Sequence, residues 1–145
     1  MEKEHSYWII AYFDNYDWER EYLLINQKSE NWNFRWYPKW HPEIWENWIQ
    51  TAKREFFEEV WISDVSIIWN KVFETMYICH RKNGLETEKT VTFWVWKVKN
   101  KNIKIQEEEL NWYKWANFDT AMKLLSHKNY KDILENVKNY LNLIK

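Results

Sequence analysis

"WYPKWHPEIWENWIQTAKREFFEEVWIS", Trp36 to Ser63, holds the residues that decide the fold. Its second half, 49–60, has the pattern of a helix. Ile49, Ala52, Phe56 and Val60 recur at three- and four-residue steps and make one apolar stripe. Glu55, Glu58 and Glu59 stand at i, i+3 and i+4, so three carboxylates project from one side. Like charges at that spacing repel by about 0.2–0.5 kcal/mol per pair. A divalent cation offsets this repulsion, and carboxylates commonly hold Mg²⁺ beside substrate phosphates. An acidic run by itself is more often a solvated helix face, and here Lys53 and Arg54 stand close by.

The first half of the stretch poses a different question. It carries Trp36, Trp40, Trp45 and Trp48, and Trp61 follows the helix. Average usage would give this chain roughly ten glycines. It has one, Gly84, beside 13 tryptophans. Tryptophan stands where loops ordinarily need glycine.

Outward from the stretch, "SYWIIAYF" (6–13) and "EYLLIN" (21–26) are short apolar runs with strand character, and the polar turn "DNYDWER" makes them a hairpin. The runs 65–80 and 88–99 are β-rich, separated by "RKNGLET" with the lone glycine. "IKIQ" (103–106) reads as a further short strand. Asn117 caps a short helix over 117–127. A last helix, about 130–143, places Tyr130, Ile133, Leu134, Val137, Tyr140, Leu141 and Ile144 on one side. Strands interrupted by a central helix and followed by helices predict an α/β domain with a mixed sheet. With no repeat or linker, residues 1–145 are expected to form one domain.

With Trp40 and Trp61 read as glycine, residues 40–62 become G-x5-E-x7-R-E-F-F-E-E-V-G-I. This resembles the Nudix box, G-x5-E-x7-R-E-U-x-E-E-x-G-U, where U is apolar. Glu46, Arg54, Glu55, Phe56, Glu58, Glu59 and Ile62 match at the right spacing. The two mismatches are both glycine positions and both hold Trp. "PKWHPE" (38–43), "EKTVTFWVWKVKN" (88–100) and "EELNWYKWANFDTAMKLL" (108–125) are similar to the Nudix subgroup that cleaves diadenosine tetraphosphate asymmetrically. The start "SYWII" resembles a family strand opening S-Y-G.

The resemblance implies a Nudix fold: an α/β/α sandwich with a central mixed sheet and a loop–helix–loop catalytic motif. It implies that Glu55, Glu58 and Glu59 bind Mg²⁺ or Mn²⁺, with the main-chain carbonyl of Trp40 completing the site. It gives catalytic roles to these glutamates and to Glu109, an acidic residue ahead of the Y-x-W segment. It places Lys39, His41 and Lys89 toward the phosphate chain and Tyr77 toward the base, with Phe93 a second base-platform candidate. Glu46 and Arg54 form a structural ion pair. The implied activity is metal-dependent hydrolysis of dinucleoside polyphosphates such as diadenosine tetraphosphate. Nucleoside triphosphates or 5′-triphosphorylated RNA are the alternative substrates. If the loop tryptophans are real, a non-catalytic nucleotide-binding module is the alternative role.

A gene that uses UGA for glycine, decoded as if UGA meant tryptophan, would give this sequence. On family fit and turn context, Trp8, Trp18, Trp36, Trp40, Trp45, Trp61, Trp69, Trp96 and Trp112 are the expected glycines. Trp115 fits as a genuine tryptophan; Trp32, Trp48 and Trp94 stay open.

Charge and cysteine usage bound the partners. A net charge of −1 provides no global basic field for DNA or an anionic membrane. A lone cysteine, Cys79, cannot form an internal disulfide and fits a reducing compartment; it reads as a core residue. His5, His80 and His127 lack metal-ligand spacing. A cytoplasmic monomer acting on a small nucleotide, without membrane or DNA partners, is expected. An RNA 5′ end is the less favoured partner.

Overall fold

The structure is a computed structural model. It describes residues 2–15, 19–27, 48–62, 65–68, 71–80, 82–102, 110–125 and 128–144, with the backbone alone at 26, 27, 48, 49, 51, 55, 59 and 110–112. In chain order the elements are β1 (Glu2–Asp14), β2 (Arg20–Gln27), α1 (Trp48–Val60), β3 (Val65–Ile67), β4 (Phe73–His80), β5 (Glu86–Val98), β6 (Leu110–Ala116), α2 (Phe118–Leu124) and α3 (Lys128–Leu143).

Six strands form one sheet in the order β3-β5-β1-β2-β6, and β4 pairs with β5 off this path. β1 and β5 run parallel at the centre, in register from Glu2↔Thr87 to Tyr12↔Lys97. The β1–β2, β2–β6, β3–β5 and β4–β5 pairs are antiparallel, so the sheet is mixed.

Strand alternation sends successive side chains to opposite faces. Ile9 and Ala11 of β1, Leu23 and Ile25 of β2, and Trp96 and Val98 of β5 pack on one face against Ala52, Phe56 and Val60 of α1. Trp8, Ile10, Tyr12, Leu24, Val91, Phe93 and Val95 take the other face, against Ala121 of α2 and Tyr130, Ile133, Leu134, Val137 and Leu141 of α3. A strand buried on both faces has to be apolar at consecutive positions, as "WIIAY" in β1 is. The result is the α/β/α sandwich expected from the sequence.

The expected turn joins β4 to β5, with Gly84 at φ 81° and the Leu85 N–H donating to Asn83 Oδ1 at 3.0 Å. The Asn117 side chain accepts from the Thr120 N–H and caps α2. The β-rich run 65–80 resolves into two strands, β3 and β4, which pair with different parts of β5. Residues 110–116 form a further strand, on the edge of β2. Two expectations need correction. Ile144 lies just past α3 and is exposed, so it does not join that helix's apolar side. Cys79 is only half-buried, on β4 at the sheet margin, so it is not a core residue. The 103–106 run lies outside the described residues. Among the described residues, no helix is long and apolar enough to cross a membrane.

Candidate functional site

Helix α1 is fixed by its apolar side. Ala52, Phe56 and Val60 are each fully buried, and Phe56 meets Trp96 edge-on with ring centroids 5.4 Å apart. Burying a side chain such as Phe56 contributes about 1.5–3 kcal/mol. This anchoring sets the rotation of the helix about its own axis, so Lys53, Arg54 and Glu58 between the anchors face outward. Glu58 is one of them, and its side chain is 54% exposed. Arg54, one turn earlier, donates from Nη1 to Glu58 Oε1 at 3.1 Å. An exposed i, i+4 pair of this kind contributes about 0.3–0.5 kcal/mol. It orients the carboxylate without burying it.

Glu55 and Glu59 lie on α1 at one step of three before Glu58 and one residue after it; their side chains, like Glu46, Glu109, Lys39, His41 and Trp40, lie outside the described set. The expected Glu46–Arg54 pair therefore lies partly outside it too, and the described partner of Arg54 is Glu58.

The helix ends in a left-handed turn. Trp61 has φ 66°, and among the described residues it is the single non-glycine with positive φ. Its N–H donates to the Phe57 carbonyl at 2.7 Å. This is the αL cap, with residue 61 just beyond the helix and Phe57 four residues back. The indole stacks on Phe57 at 4.7 Å and is 55% exposed. The sequence expectation of a glycine-type cap at 61 thus meets a tryptophan in the glycine conformation. Trp8 and Trp96, also expected glycines, are buried in strands on opposite faces. Trp8 packs against Phe93 and Tyr130 at 5.9 and 5.0 Å. Trp115 donates its indole N–H to the Lys101 carbonyl at 3.2 Å.

The substrate-side candidates divide between the core and one edge of the sheet. Tyr77 of β4 and Lys89 of β5 are direct cross-strand partners. Lys89 Nζ is 3.7 Å from Glu4 Oε2 on β1, so Glu4, Lys89 and Tyr77 form a row across three strands. Tyr77 is half-buried against the α2/α3-side cluster, on the face opposite α1. Phe93 is 0% exposed, between Trp8 and Tyr130, so it is a core residue and presents no ring to a base.

A second row was not visible in the sequence. His5 Nε2 lies 2.7 Å from Thr92 Oγ1, whose hydroxyl donates to Glu74 Oε1 at 3.3 Å. His5 also stacks on Tyr7, centroids 4.6 Å apart and planes 8° apart. These residues come from β1, β4 and β5, and no local spacing announces their meeting. A cavity of about 300 Å³ opens between β2, α2 and α3, lined in part by Arg20, Tyr22, Asn117, Phe118, Lys138 and Asn142. Among the described residues, none of the predicted site residues lines it. Burial pushes the Tyr22 phenol up to about 12, with Arg20 acting the other way.

The chain matches the model of the NUDIX domain over residues 9–137. It is 32% identical over 124 residues to the Mus musculus bis(5′-nucleosyl)-tetraphosphatase [asymmetrical], covering 83% of this chain and 80% of that protein. The Sus scrofa protein of the same name is 31% identical over 125 residues, with the same coverage. A crystal structure of a C. elegans Ap4A hydrolase binary complex superposes with a TM-score of 0.77 at 21% identity, over 95% of this chain and 97% of that one. The E. coli dihydroneopterin triphosphate pyrophosphohydrolase does so with a TM-score of 0.68 at 19% identity, over 91% and 92%. These two show a shared fold, and the family match spans the anchored helix and its outward carboxylate. The chain belongs to the NUDIX family of hydrolases.

Proposed function

We propose that the protein hydrolyses dinucleoside tetraphosphates asymmetrically, releasing a nucleoside triphosphate and a nucleoside monophosphate. The observation that carries this reading is Glu58, held on the solvent side of a helix whose other side is locked into the sheet. Identity to the asymmetrical tetraphosphatases supports the substrate class.

The Glu58 carboxylate has the chemistry of a divalent-cation ligand, and the other proposed ligands lie outside the described side chains. Glu58 is an exposed, hard oxygen donor with one carboxylate oxygen paired to Arg54, leaving the other oxygen outside that bond. Glu55, Glu58 and Glu59, with the Trp40 carbonyl, would hold Mg²⁺ or Mn²⁺. When bound, the cation lowers the pKa of its water and neutralises charge growing on the phosphates. The chain supplies the rest. One glutamate, from α1 or Glu109, takes the proton as water attacks phosphorus, and the bridging P–O bond breaks to leave the two nucleotides. Arg54 and Glu46 brace the motif. Lys39, His41 and Lys89 oppose the phosphate charge, and Tyr77 offers its ring to a base.

We assign this activity to one domain acting as a cytoplasmic monomer. The test is a side-by-side ranking of kcat/KM with Mg²⁺ for diadenosine tetraphosphate, a nucleoside triphosphate and 5′-triphosphorylated RNA. The substrates are offered to the chain carrying glycine at the nine expected positions. Preference for the dinucleotide supports the reading; preference for either alternative overturns the substrate class.

A further inference from the structure

We infer that residue 61 is glycine in the protein the gene specifies, that its codon is UGA, and that the same codon accounts for Trp40 and Trp45. Backbone geometry carries the glycine at 61, while residues 40 and 45 lie outside the described residues and enter by their place in the sequence. The αL cap at the end of α1 forms only when residue 61 turns left-handed, and here it does so at φ 66°. The turn is held from both sides, because Val60 and Ile62 are buried to 0% and 1% exposure. Neither can swing outward to relax residue 61 without leaving the core. An L side chain meets its own backbone in this conformation; glycine, having no Cβ, does not.

Two described residues adopt positive φ, Gly84 at 81° and Trp61 at 66°. One holds the chain's only glycine and the other holds tryptophan. The indole at 61 is 55% exposed, so a need for core volume does not explain its presence. UGA specifies stop, tryptophan or glycine in different genetic codes, whereas glycine codons of the GGN type are read alike. A gene with UGA-glycine, decoded as tryptophan, leaves GGN glycines such as Gly84 in place and writes Trp at the others. Trp61 falls at a glycine position of the family motif, as Trp40 does, and Trp45 lies between them just before Glu46. This inference rests on how α1 terminates and on no property of the substrate, so it stands or falls apart from the proposed activity.

The experiment reads codons 40, 45 and 61 and sequences, by tandem mass spectrometry, the tryptic peptide from Glu55 to Lys71 of the protein isolated from its source cells. The expected result is TGA at all three codons and a fragment series with glycine at 61, lighter there by the indolylmethyl group. TGG at any of the three codons, or a fragment series with tryptophan at 61, overturns the inference.

Discussion

Replacing Trp61 by Gly and by Ala separates backbone strain from ring packing. Both substitutions remove the indole and its 4.7 Å stack on Phe57, so that loss cancels between them. Ala keeps the Cβ that φ 66° opposes, at a cost of about 1–2 kcal/mol. Gly relieves it, but gives the unfolded chain about 0.4–1 kcal/mol more conformational freedom. The balance favours W61G over W61A by about 0.5–1 kcal/mol, or roughly 2–4 °C in Tm for a chain of this size. Inside a helix the order would be the reverse, with Gly below Ala by about 0.5–1 kcal/mol. The sign therefore reports the left-handed cap. Thermal melting followed by circular dichroism measures it. A W61A Tm equal to or above that of W61G would refute the reasoning.

In the glycine-restored chain, Glu58→Gln is expected to lower kcat at least about 10²-fold, the scale of one lost electrostatic stabiliser. Its Tm should hardly move, because Glu58 is exposed; an unchanged rate at saturating Mg²⁺ would remove it from the site. Tyr77→Ala should raise KM for a dinucleotide about tenfold with a smaller change in kcat, since stacking is worth about 1–3 kcal/mol per base; an unchanged KM counts against a base platform there. The Tyr22 phenol, raised by burial to about 12, keeps its proton in the fold at pH values where the unfolded chain, near 10, loses it. Its contribution is thus intact below pH 10 and is lost as pH rises toward 12, on the order of 2 kcal/mol in all. Urea midpoints across this range should fall less steeply for Tyr22→Phe than for the parent; parallel curves would contradict the assignment.

Helix α1 was legible because its signal is local: Ala52, Phe56 and Val60 lie within three turns, and their burial follows from the sequence period alone. β1 and β5 were legible because strands buried on both faces are continuous apolar runs. β6 was not, since "LNWYKWA" mixes polar and aromatic residues. It becomes a strand through pairings such as Leu23↔Trp115, some ninety residues away. The break between β3 and β4 is likewise set by their two different registers on β5. Phe93 looked like a base platform because aromatic character says nothing about depth, and the Trp8 and Tyr130 rings that enclose it come from β1 and α3. At the site, the Glu58 and Arg54 spacing could be read directly, whereas the Tyr77–Lys89 and His5–Thr92–Glu74 rows exist only once three strands are aligned.

The most direct test is the product pattern from diadenosine tetraphosphate and Mg²⁺ with the glycine-restored chain, resolved by ion-exchange chromatography. The account predicts equal amounts of adenosine triphosphate and monophosphate, with no turnover after chelation of the metal; adenosine diphosphate as the sole product, or an intact dinucleotide, would contradict it.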